Sequence, residues 1–309
     1  MEALARAPDP PSSPRPAFEA PPKYQCLRVL GSGGMGTVLL ARDRQLGRLV
    51  ALKLLRDPGP WFLERFRREA RVLARLAHPS IVAVHEFDVF AGRAYLAMDY
   101  VDGGSLARAR LEPRVLVRAL RGVVDALEHA HALGVVHRDV KPENVLLDRR
   151  GRAFLADFGV AVEARARHAS APVGGTPLTM SPEQARGERV GPASDLFSLG
   201  ATLYRQLTGA WPFRGRTLAD VLFAIQHEEP SAPRALAPHV PAALERVVLR
   251  CLEKDPAARF ASMAALGQEL DRFLAQRSFF ARLFSPLAGR SRRAASTQPR
   301  HRIHPEELP

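Results

Sequence analysis

From Tyr24 onward, short runs rich in apolar and β-branched residues are bounded by glycine-bearing turns, over 25–30, 37–42 and 48–54. Such runs between turn formers predict strands. Over 62–76 the period changes. Phe62, Phe66, Ala70, Leu73 and Leu76 recur at helical spacing with arginines between them, which predicts an amphipathic helix. Two further strand-like runs follow at 81–87 and 93–99. After Asp102, Gly103 and Gly104 the strand pattern stops, and helical periodicity takes over at 115–133, 194–208, 218–228, 242–253 and 262–275.

The pattern predicts an α+β chain of two lobes. A small β-rich N-lobe with one main helix occupies 23–99, a hinge 99–104, and a larger, mostly helical C-lobe 105–276. Residues 1–22 are dense in proline and short of large apolar side chains, so they read as a disordered leader. Residues 277–309 hold a short apolar stretch (278–284) and then an arginine-rich run, and read as a basic disordered tail. Apolar runs fall well short of the roughly 18 residues needed to cross a bilayer, and the N-terminus lacks the pattern of a secretory signal. Two cysteines, Cys26 and Cys251, make no disulfide framework, which favours a reducing cytoplasm.

Charge changes this picture less than its size suggests. The 309 residues carry 45 Lys+Arg against 32 Asp+Glu, a formal net charge of +13. A balance of that kind usually suggests nucleic acid. Here the last 33 residues hold five of the excess charges, so the body is only mildly basic and no nucleic-acid partner is expected. Only four of the cations are lysine (Lys23, Lys53, Lys141 and Lys254), and Asn144 is the one asparagine of the chain. In a sequence so biased toward arginine, each remaining lysine or asparagine is informative.

Three motifs carry chemistry. Gly31-Ser32-Gly33-Gly34-Met35-Gly36-Thr37-Val38 lies between two strand-like runs. Glycines let backbone approach a phosphate and adopt positive φ, although a glycine-rich hairpin alone is a weak signal. A dinucleotide site is disfavoured, because that fingerprint opens a helix and here a strand follows. Lys53 ends an apolar strand, where an ammonium needs a partner; Glu69, on the following helix, is the natural one. The third motif runs His137-Arg138-Asp139-Val140-Lys141-Pro142-Glu143-Asn144, with Asp157-Phe158-Gly159 thirteen residues on. Two carboxylates, an amide and a lysine this close suit metal-assisted phosphoryl transfer, with hard oxygens holding Mg²⁺.

On these residues the chain resembles a bacterial Hanks-type (eukaryotic-like) Ser/Thr protein kinase over about residues 24–275. The resemblance implies a Ser/Thr kinase fold and activity, with ATP and Mg²⁺ (or Mn²⁺) and with protein substrates. It implies that Leu30, Gly31, Ser32, Gly33, Gly34, Met35, Gly36, Thr37 and Val38 cover the nucleotide, and that Ala51, Met98, Asp99 and Val101 face it from the sheet and hinge. Lys53, paired with Glu69, would contact the α- and β-phosphates. Asp139 would receive the substrate hydroxyl proton, Lys141 would steady the γ-phosphate, and Asn144 and Asp157 would hold the metal. Lys53, Lys141 and Asn144 survive in a chain that has nearly abandoned both residue types, which agrees with a working catalyst, since arginine cannot replace a compact ammonium beside phosphates.

The substrate side rests on Gly175 to Glu183, which resembles the family's peptide-docking loop and closing A-P-E motif with Ser181 in place of Ala. Glu183 would pair with Arg259, and Asp195 would brace the catalytic loop. Lys141 with Thr176 favours Ser/Thr acceptors, whereas Thr179 stands where an aromatic residue is usual, which bears on substrate preference. Arg138 beside Asp139 implies a phosphorylated activation loop, and Ser170 is the single hydroxyl between Gly159 and Thr176, the expected autophosphorylation site. The reading also allows homodimer formation during activation and peripheral membrane contact through the tail. Competing classes are a nucleotide-binding scaffold, a small-molecule phosphotransferase and a nucleic-acid binder.

Overall fold

The computed structural model describes residues 20–33, 36–55, 76–158 and 178–283, with side chains to 276. Strands β1 (Tyr24–Gly33), β2 (Gly36–Asp43), β3 (Leu49–Leu55), β4 (Val84–Phe90) and β5 (Arg93–Asp99) form one antiparallel sheet in the order β1-β2-β3-β5-β4. Leu39, Val50, Leu52, Leu54, Tyr95 and Ala97 cluster together, buried, on this sheet. The α+β, two-part order read from the sequence is the order found.

One strand is displaced. Pairing was expected over 81–87, but β4 begins at Val84. Ile81 instead bridges to Leu155, and Val82 N donates to Leu155 O at 3.0 Å. The first residues of that apolar run therefore tie the sheet to the segment that carries Asp157. The hydrophobic pattern could not distinguish one pairing partner from the other.

Beyond the hinge, α1 (Pro113–Ala132) buries Leu116, Leu120, Val123, Val124 and Leu127 along one stripe. A two-stranded hairpin follows, β6 (Val145–Leu147) and β7 (Ala153–Leu155). Then come α2 (Pro182–Ala185), α3 (Pro192–Thr208), α4 (Leu218–His227), α5 (Pro233–Leu236), α6 (Ala242–Cys251) and α7 (Met263–Leu283). Helix α3 is buried along nearly its whole length, from Ser194 to Leu207, and forms the centre of this part. The hairpin and the two four-residue helices are too short to show a period in the sequence. Helix α7 runs to Leu283, past the end read at Ala275. Of the helix expected at 62–76, all but Leu76 lies outside the described residues, and Leu76 is buried outside any helix. Among the described residues no helix is long and apolar enough to cross a membrane.

The segment read as a hinge is pinned by backbone. Gly103 N donates to Leu147 O and Leu147 N to Gly104 O, both at 2.8 Å. A Cβ on Gly103 would lie 2.5 Å from Leu147 O, so this crossing requires glycine.

Candidate active site

The glycine-rich segment forms the β1–β2 hairpin, with Gly31 opposite Val38, Ser32 opposite Thr37 and Gly33 opposite Gly36. The Ser32 and Thr37 hydroxyls lie 3.2 Å apart across it. Gly34 and Met35 lie outside the described residues. Gly36 has φ +145°, and a Cβ there would sit 2.0 Å from Leu54 O on β3. Gly36→Ala is therefore expected to force the hairpin off β3 and cost at least about 1–3 kcal/mol. A fall in melting temperature of several degrees, with weaker nucleotide binding, is the measurement that checks it.

Beneath the hairpin, Ala51 on β3 faces Met98 on β5. Both are buried in one apolar cluster with Ala156, against which Leu30, Val38, Val101 and Leu146 pack. The sequence reading placed five of these seven at a nucleotide slot. Leu146 and Ala156 were missed, because they enter from the β6–β7 hairpin, whose signal is only its position after Asn144. Asp99, next to Met98, is exposed and accepts from His85 Nε2 at 2.8 Å.

On β3, Lys53 stands between the buried Leu52 and Leu54, with its own side chain 12% exposed. Its ammonium meets Asp157 Oδ1 at 2.6 Å. Glu69, the partner expected from sequence, lies outside the described residues, as do Ser170 and Thr176. Asp157 adopts φ +56°, a left-handed conformation rare for a non-glycine residue. It is held there by its neighbours. Leu155 N donates to Ser80 O at 2.8 Å, Ala156 N to Asn144 O at 2.8 Å, and Ala156 O lies 3.1 Å from His137 Nε2. The Phe158 ring packs on the His137 ring at 4.5 Å between centroids.

The catalytic-loop motif folds into a compact cluster. Asp139 Oδ2 accepts from Lys141 Nζ at 2.7 Å and from Asn144 Nδ2 at 3.1 Å, and Asn144 Nδ2 also donates to Asp139 O at 2.8 Å. Arg138 has φ +67°. Asp195, fully buried on α3, accepts from His137 N and Arg138 N, each at 2.8 Å, and lies 2.7 Å from His131 Nε2. Burial pushes the His137 imidazole down, although Asp195 opposes it. The neutral ring fits its place as a buried spacer.

Thr179 and Glu183, read from the sequence as part of a docking loop, are held by α3 and by Arg259. Thr179 is buried, and its carbonyl accepts from Ser198 Oγ at 2.7 Å. Glu183 receives a two-pronged bond from Arg259, at 2.8 Å and 2.9 Å, and a third bond from Ser194 Oγ at 2.6 Å. Burial opposes ionisation of Glu183, but Arg259 and Ser194 outweigh it and hold the carboxyl at about 2.

Asn144 spends its amide nitrogen on Asp139, and Asp157 spends one oxygen on Lys53. Among the described residues this leaves an amide oxygen and a carboxylate oxygen, the hard donors that a divalent ion takes. The donor set fits a nucleotide-bound metal. A glycine hairpin, an apolar slot, a part-buried lysine and an aspartate beside a second lysine are the parts that phosphoryl transfer calls for.

The chain matches the protein kinase domain family over residues 24–270 and belongs to it. It is 39% identical over 268 residues to a probable serine/threonine-protein kinase of Streptomyces coelicolor, covering 82% of this chain and 40% of that protein. It is 38% identical over 266 residues to the serine/threonine-protein kinase PknB of Mycobacterium tuberculosis, covering 81% of this chain and 42% of that one. The crystal structure of the Mycobacterium tuberculosis PknI kinase domain matches with a TM-score of 0.63 and 32% identity, covering 81% of this chain and 96% of that one. The chain spans about two fifths of the length of the curated relatives it matches.

Proposed function

We propose that this chain is a Ser/Thr protein kinase that transfers the ATP γ-phosphate to hydroxyls of protein substrates and to itself, with Mg²⁺ preferred over Mn²⁺ as the metal. The observation that carries this reading is the Asp139 cluster. Lys141 and Asn144 both engage Oδ2, which among the described residues leaves Oδ1 to accept from a substrate hydroxyl.

Bound Mg·ATP supplies the transferable phosphoryl group and the cation charge that offsets its oxygens. Asn144 and Asp157 would hold the metal. Lys53 exchanges part of its bond with Asp157 for the α- and β-phosphates. The β1–β2 hairpin covers the phosphates with backbone, and the Ala51–Met98 slot takes the base. Asp139 orients the attacking hydroxyl and takes its proton, while Lys141 neutralises charge on the γ-phosphate. The docking loop of Thr176, Thr179 and Glu183 presents the acceptor. Two free cysteines, Cys251 buried, fit a cytoplasmic setting.

Incubation with Mg²⁺ and radiolabelled ATP, followed by phosphosite mapping, tests the reading. Label on serine and threonine of the chain or of a basic protein acceptor, lost on chelation with EDTA, is expected. No label on any protein acceptor would overturn it. Label at Ser170, with reduced activity in Ser170→Ala, would extend the reading to activation-loop control.

A further inference from the structure

Gln184, the third residue of α2, joins the docking segment to the catalytic loop. Its Nε2 donates to the carbonyl of Arg138 at 3.0 Å, 46 positions away and one residue before Asp139. Its Oε1 accepts from Ser181 N at 3.0 Å, and its own N–H donates to Ser181 Oγ at 3.4 Å. Together these form a reciprocal cap at the start of α2. Reversing the amide would set its oxygen against the Arg138 carbonyl and its NH₂ against the Ser181 N–H, so the network determines its orientation.

The bond falls on a strained residue. Arg138 sits at φ +67°, which a non-glycine residue holds only when its surroundings over-determine it. Its N–H is taken by Asp195 Oδ1 at 2.8 Å and its carbonyl by Gln184. The two backbone polar groups of Arg138 are thus gripped by side chains of different elements, α3 on one side and α2 on the other. The peptide that follows the carbonyl is the one that carries Asp139.

We propose that Gln184 is a positioning residue for phosphoryl transfer. By holding the Arg138 carbonyl it sets the direction in which Asp139 leaves the strained turn, and it links that direction to formation of the α2 cap and so to the order of the docking segment. The inference rests on the kinase reading above. It adds a connection through which a seated peptide segment aligns the base.

Gln184→Met and Gln184→Glu test it, in the full chain, with kcat, the KM for ATP, nucleotide binding and melting temperature measured beside wild type. Wild-type activity comes first, because its absence refutes the kinase reading and not this one. Gln184→Met keeps the volume and removes the donor. It is expected to lower kcat about tenfold, as the loss of one well-formed hydrogen bond does, while the KM for ATP and nucleotide binding stay within twofold. Unchanged kcat in a folded protein overturns the proposal. Equal losses in kcat, nucleotide binding and melting temperature also overturn it, since they reveal a structural role alone.

Gln184→Glu keeps the Oε1 acceptor but, when ionised, sets a carboxylate oxygen against the Arg138 carbonyl. When protonated, it donates again. The ratio of variant to wild-type kcat is therefore expected to rise as pH falls from 8 to 5.5. The charged groups around position 184 are Arg138 on the catalytic-loop segment, Asp195 on α3, and Glu183 and Arg186 on its own segment. All are common to both proteins, so their titration cancels in the ratio. A flat ratio overturns the proposal even if Gln184→Met fails to fold.

Discussion

Asp139→Asn is expected to lower phosphoryl transfer by roughly 10²–10⁴-fold, the range a positioned proton acceptor contributes. The substitution preserves shape and removes one charge. Lys141 Nζ and Asn144 Nδ2 both donate to Oδ2 of Asp139, so the asparagine must turn its oxygen toward them and present an NH₂ where a substrate hydroxyl would donate. That inverts the hydrogen-bond polarity at the reacting atom. The side chains of Ala51, Met98 and Ala156, the proposed nucleotide slot, are apolar and bond to none of these groups, so nucleotide affinity is expected to stay within a few-fold. Steady-state kinetics with nucleotide binding measured in parallel checks both statements. A variant that labels itself as fast as wild type would show that the site does not work as argued.

Arg259→Met is expected to destabilise the chain by about 3–5 kcal/mol, the cost of leaving a buried charge without its partner. The Arg259 side chain is fully buried and binds Glu183 at both oxygens, with further bonds to the carbonyls of Ala193, Glu253 and Lys254. Glu183 titrates at about 2 in the folded chain, below its ordinary 4.5. A depressed carboxyl stabilises above its unfolded value, by about 3 kcal/mol here. That contribution is present above pH 4.5 and is lost as pH falls toward 2. In Arg259→Met, burial is no longer opposed by the guanidinium and raises the carboxyl. The gap in stability between variant and wild type is therefore expected to narrow as the pH is lowered through 4.5. Urea midpoints at pH 7 and pH 4 check this, and Glu183→Gln in the Arg259→Met background is expected to recover part of the loss. Additive losses from the two substitutions would contradict the pairing.

Much of the site was legible because its chemistry needs particular residue types at particular spacings. His137 to Asn144 and Asp157 are close in the chain, and their cluster forms from local turns. The strands at β2, β3 and β5 were legible as short apolar runs bounded by turn residues, although β3 and β5 are buried on both faces. The start of β4 was not, since the same apolar run serves two partners, Leu155 and β5. The composition argument also divides. Of the four lysines, Lys53 and Lys141 stand in the candidate site, each bonded to an aspartate. Lys254 closes the C-terminal end of α4, donating to Ile225 O at 2.7 Å with its ammonium 3.7 Å from the Phe213 ring centroid, and burial pushes it down to about 8. Lys23 pairs with Glu86, which also accepts from Tyr24 and Tyr95. Scarcity alone marked all four as special without saying which were chemical.

The amino-acid sequence by itself determined the inventory: an α+β chain, a glycine hairpin, and the lysines, aspartates and asparagine of the candidate site. Tertiary structure alone decided how these are held. Lys53 reaches Asp157 across 104 positions, Asp195 grips two backbone N–H groups nearly 60 positions back, and Gln184 closes on the carbonyl of Arg138. The physical reason is that a local pattern records which face of an element is buried. A hydrogen bond between distant elements depends on where their backbones come to rest, and no period in the sequence carries that.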